Sequence, residues 1–79
     1  MPTPLLLAAI DAAQQGNWDQ AHELVQALRS PEACWIHAAL HRIEGDLSNA
    51  AYWYSKAGRA MEHGDIQEEL SRIRHHITA

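Results

Sequence analysis

Three short strings constrain this chain more than anything else in it: GNW at Gly16, GDL at Gly45 and GDI at Gly64. In each, a glycine that tolerates a left-handed conformation closes one helix. The Asn or Asp after it accepts hydrogen bonds from the free amides of the next helix. The apolar residue that follows begins a buried face. Gln20, Asn49 and Glu68 stand three residues beyond the caps, and Asp65 with Glu68 has the chemistry of a capping box. A fourth start is Ser30-Pro31-Glu32, with a cap, a proline at the first helical position and an acid in the first turn. No stretch alternates apolar and polar residues as a strand would, so the chain is expected to be all-α.

The signals predict five helices in one domain spanning residues 1–79. The first covers about Pro4 to Gln15, with Leu5, Ala8, Ala9 and Ala12 on its inner side. The second covers about Trp18 to Leu28, burying Ala21, Leu24, Val25 and Leu28. The third runs from about Pro31 to Glu44 and the fourth from about Leu47 to Ala57. After a loop from Arg59 to Gly64, the fifth runs from about Ile66 to Ile77 behind a stripe of Ile66, Leu70, Ile73 and Ile77. Short turns between helices one and two, and between three and four, make two antiparallel hairpins, residues 4–28 and 31–57. The fifth helix then caps the pair.

The two hairpins share a small-residue grammar. AAIDAAQQGNWDQAHELV aligns with HAALHRIEGDLSNAAYWY, placing Ala9 on Ala38, Gly16 on Gly45, Ala21 on Ala50 and Val25 on Tyr54. Ala38, Gly45-Asp46, Ala50, Tyr54 and Ala57 together resemble the tetratricopeptide repeat, and the resemblance covers residues 5–57. It implies helical hairpins that bind a peptide or a partner helix in a groove. Two departures stand against it. The repeat length of the family is about 34, longer than the Gly16-to-Gly45 offset. Leu5, Ala12, Cys34 and His41 occupy first-helix positions where the family carries aromatics. The segment HAALHR-EGDLSNAAYWY-AGR is also similar to a string in small bacterial proteins, a likeness that implies a self-contained domain and brings no activity with it.

Charge narrows the partners. The formal net charge is −4, and the six Lys and Arg form no run. A nucleic-acid surface shows a basic patch or stripe, so neither nucleic acid nor an anionic membrane is an expected partner. Cys34 is the only cysteine, which excludes an internal disulfide and suits a reducing compartment. The apolar stretch from Leu5 to Ile10 lacks a basic flank and ends at Asp11, unlike a signal peptide. A cytoplasmic protein is the expectation.

The third helix carries the chemistry. At about 100° per residue, Cys34, His37, His41 and Glu44 share one narrow arc, while Trp35, Ile36, Ala39, Leu40 and Ile43 cover the opposite side. Such a helix is expected to be buried on most faces. The plain reading of His37 and His41 is a buried polar network, satisfied by Glu44, Asn49 or a tyrosine of the fourth helix. A sharper reading is a small-molecule or metal site formed by His37, His41 and Glu44, with His22 and Tyr52 nearby. Imidazoles at i and i+4 can share one ion. Zinc wants three or four ligands, so Glu44 or His22 would have to join them. A third reading is a polar pocket doing acid–base work. No catalytic triad, Cys–His pair or phosphate loop supports enzyme activity, and no cofactor is implied.

The sequence as a whole points to a non-enzymatic interaction domain for a protein, a peptide or a second copy of itself. Trp35, Ala39 and Arg42 are its expected surface, because a large aromatic and a cation share one edge. Trp18 is expected between the hairpins and Cys34 in the core. His63, His75 and His76 are assigned no role. Lys56 and Arg59 are explained by the negative end of the fourth helix.

Overall fold

The computed structural model describes residues 3–79, so the first two residues of the expected domain lie outside the described residues. Five helices follow in order: α1 Thr3–Gln14, α2 Trp18–Val25, α3 Pro31–Ile43, α4 Leu47–Ala57 and α5 Ile66–Thr78. The fold is all-α. Three of the four expected caps form. Ser30 accepts from the Ala33 amide at 3.2 Å, Asp46 from Asn49 at 3.3 Å and Asp65 from Glu68 at 2.9 Å. Asn17 makes no side-chain cap, and α2 stops at Val25, a turn short of Leu28.

Gly16 and Gly45 take positive φ, as expected, but Gly64 does not. The reason is local: no helix ends there, because residues 59–65 form an irregular link. Gly58 closes α4 instead, at φ 73°.

The molecule is organised around α3, which touches all four other helices. Every residue from Ala33 to His41 is buried. Ala33, Ala38 and Ala39 hold the neighbouring helices close, and Ile36 and Leu40 fill the gaps between them. α1 pairs with α2 and α4 with α3. The inner face of α1 differs from the expected one: Leu6, Ala9, Ile10, Ala12 and Ala13 are buried, while Leu5 and Ala8 are exposed. α1 packs against α2, α3 and α5 together, so it turns the bulkier Leu6 and Ile10 inward.

α5 lies across α3 and α1, burying Leu70 and Ile73 completely and Ile66 and Ile77 in part. It also buries a carboxylate, Glu69. Among the described residues, no helix is long and apolar enough to cross a membrane.

Candidate functional site

His37 and His41 stand one turn apart on α3, and His22 reaches them from α2, so the cluster bridges the two hairpins. The Nε2 atoms of His37 and His22 are 3.0 Å apart. The His37 and His41 rings stack with centroids 5.0 Å apart, and His22 meets both edge-on at 4.6 and 5.5 Å. One ligand nitrogen from each of the three lies within 4.8 Å of the other two. Nδ1 of His41 is bonded to Oε1 of Glu44 at 2.6 Å, which leaves Nε2 as its free nitrogen.

Two indoles hold these rings in place. Trp18 stacks on His22 at 4.7 Å and donates its Nε1 proton to the Leu40 carbonyl at 2.6 Å. Trp53, from α4, stacks on His37 at 3.9 Å with the planes 11° apart. The sequence arranges this simply: Trp18 and His22 are one turn apart on α2, and Trp53 faces α3 from its hairpin partner. With both aromatic flanks packed, the rings have little rotamer freedom left to lose on binding.

Burial, aided by the charges that His22 and His41 would carry, pushes His37 down to about 4. Burial also lowers His22, with His41 the next cause. Both are therefore neutral near pH 7, the form in which imidazole binds a metal. A neutral imidazole has one donor and one acceptor. The contact between His22 and His37 uses one proton for two nitrogens, and Nδ1 of His37 is buried without any partner. The cluster holds more bonding capacity than its neighbours use.

Tyr52 does not join it. Its ring is about half exposed and packs edge-on against Trp53, with the Lys56 ammonium 5.5 Å from its centroid. Tyr54, a candidate to satisfy the histidines, points elsewhere. Its hydroxyl donates to Oε2 of Glu69, and burial together with that carboxylate pushes the phenol's pKa well above its usual value.

The surface expected at Trp35, Ala39 and Arg42 requires correction. Trp35 is 3 % exposed, Ala39 0 % and the Arg42 side chain 8 %. α5 covers them all. The indole Nε1 of Trp35 donates to Oε2 of Glu69 at 3.0 Å, and Nη1 of Arg42 donates to Oε1 at 2.6 Å. Nη2 of Arg42 donates to the Gly64 carbonyl at 2.5 Å, tying the link before α5 to the same group. The aromatic–cation edge is real, but its partner is an internal carboxylate.

Glu69 escaped the sequence reading. The available signal was its place beside Leu70 and one turn before Ile73, on the border of the apolar arc. Arg59 needs no helix-dipole explanation, since its guanidinium lies 3.4 Å from the Trp35 ring centroid. His76 has contacts as well: it meets Trp35 edge-on at 5.8 Å and stands 3.5 Å from Glu32. Cys34 is buried and unpaired, as expected, and burial pushes its thiol up.

Compared with protein-family models, curated proteins and solved structures, the chain matches none of them.

Proposed function

We propose that this protein is a small transition-metal-binding helical domain, with His22, His37 and His41 as ligands and Glu44 orienting His41. The observation that carries this reading is the convergence of three imidazole nitrogens, from two helices, within 4.8 Å. With bonds of about 2.0–2.1 Å to tetrahedral zinc, ligand nitrogens stand roughly 3.3–3.4 Å apart. The 3.0 Å between His22 and His37 needs to open by only a few tenths of an ångström. The contact between His41 and Glu44 matches the usual outer support of a metal-bound histidine, a carboxylate on the far ring nitrogen. An ion here would take the place of the shared proton, which would move to Nδ1 of the same ring, and it would tie α2 to α3. Three nitrogen ligands leave one position for water or an anion on the half-exposed side, at His22.

The test is calorimetric titration with zinc. Wild-type protein is expected to bind one ion per chain with a dissociation constant below about 10 µM. His22→Ala should weaken binding by at least about a hundredfold, and Glu44→Gln by about tenfold. Absence of saturable zinc binding, or unchanged affinity in His22→Ala, refutes the reading.

The competing reading is a cytoplasmic interaction or self-association domain. The tetratricopeptide-like hairpins and the free Cys34 support it. It must use a face other than Trp35, Ala39 and Arg42. Wild-type protein that sediments as a dimer with zinc stripped away would favour this reading over the first.

A further inference from the structure

The cations of this chain are few, and their placement is uneven. Of the six Lys and Arg, Arg42, Arg72 and Arg74 hold the carboxylates of Glu69, Glu62 and Asp11. Arg59 lies on the Trp35 ring. Arg29 and Lys56 remain, the Lys56 ammonium 5.5 Å from the centroid of the Tyr52 ring. Neither holds a carboxylate among the described residues, and both line one cleft of about 370 Å³. Its other walls are Cys34, Tyr52 and Trp53, so no acidic residue faces it.

Gathering two cations that hold no carboxylate in one hollow of a protein with a net charge of −4 leaves a local positive field on an otherwise acidic molecule. The aromatic walls specify more. The Tyr52 and Trp53 rings stand 89° apart with centroids 5.2 Å from each other, forming a corner. A flat ring seated in such a corner stacks on one wall and meets the other edge-on, the two geometries aromatic pairs prefer. The volume is that of a small-molecule site. An inorganic anion would satisfy the cations and leave the corner wet. A neutral ring would do the reverse.

We infer that the cleft between α3 and α4 binds a planar aromatic anion, with its ring in the Tyr52–Trp53 corner and its carboxylate or phosphate between Arg29 and Lys56. The site is separate from the three histidines, although Trp53 is shared: the indole that lines the cleft also stacks on His37. A ligand here would press on the wall that holds His37 in position.

The experiment uses the full chain in EDTA, so that the result does not depend on metal binding. 2-Naphthoate and 2-naphthyl phosphate are titrated calorimetrically, with 2-naphthol as the uncharged ring and acetate as the ringless anion. Binding is placed by NMR at the indole N–H of Trp53. At least one naphthyl anion is expected to bind with a dissociation constant below about 1 mM and to shift Trp53 more than Trp18 or Trp35. Lys56→Gln and Arg29→Gln, both exposed positions that should leave folding intact, should each weaken it at least about fivefold. Preference for one of the two anions identifies the acidic group. Failure of both to bind overturns the proposal. So does equal binding of 2-naphthol, or affinity that neither substitution changes.

Discussion

Two polar clusters lie on opposite sides of α3, and they are built on opposite principles. On the α5 side, Glu69 is fully buried and receives three donors: the Trp35 indole, the Tyr54 hydroxyl and the Arg42 guanidinium. Its charge is matched and its oxygens are used. On the α2 side, His22 and His37 share one proton along their short contact, His41 is bonded to Glu44, and Nδ1 of His37 has no partner. Saturated networks rigidify a core, whereas incompletely paired ones are costly, and here the Nε2 atoms of His22 and His37 compete for a single proton. The comparison teaches where to look for function in so small a domain. The satisfied cluster holds the helices together, and the incompletely paired one is where the proposed metal site lies.

The largest effect expected from this contrast is on the Glu69 side. Glu69→Ala leaves the Arg42 charge buried without its partner and strips the donors of Trp35 and Tyr54. A loss of about 3–5 kcal/mol is expected, a large share of the total stability of a small domain. Urea denaturation followed by circular dichroism measures it, and a loss under about 1 kcal/mol would dissolve the distinction between the clusters.

The histidine side should respond to acid. In the metal-free protein, unfolded His37 binds its proton near pH 6.5, and folded His37 only near 4. Between those values the unfolded chain holds more protons, so stability falls as pH drops through that window and is fully present above it. At about 1.4 kcal/mol per pH unit, the decline from this one group totals about 3 kcal/mol. Urea midpoints measured from pH 7 to 4 should trace it. His37→Gln should flatten the profile; an unchanged slope would show that His37 is not the group responsible.

Smaller effects sharpen the account. Tyr54→Phe removes one of the three donors and leaves the ion pair intact, so about 1–2 kcal/mol should be lost by the same urea assay. His22→Ala should cost only about 1 kcal/mol without metal, since His22 is half exposed, while it removes zinc binding. A substitution that is mild for stability and severe for the metal is what separates a binding cluster from a structural one.

Much of this organisation can be read from residue order. The helix starts at Ser30, Asp46 and Asp65 are local events, decided within four residues, and all three form where the caps stand. His37 and His41 share an arc because helical spacing puts them there. His22 is also legible from the sequence, as a possible third ligand. What periodicity does not supply is the pairing of helices distant in sequence. Helical spacing places Trp35 and Arg42 on one edge, but α5 comes to rest on that edge and turns an expected surface into core. A lone acid such as Glu69 among charged neighbours carries no local mark of burial, and its partners lie 15 to 34 residues away. Leu5 and Leu6 show the same limit on a smaller scale: either face of α1 is apolar, and the neighbours decide which is buried.

The most direct measurement is long-range ¹H–¹⁵N NMR of the imidazole nitrogens as zinc is added to one equivalent. The account predicts that the Nε2 signals of His22, His37 and His41 move together and stop at one ion per chain, while Nδ1 of His41 keeps the proton it donates to Glu44. If those three nitrogens stay where they were and only His63, His75 or His76 respond, the cluster is a core network and the metal-binding reading is wrong.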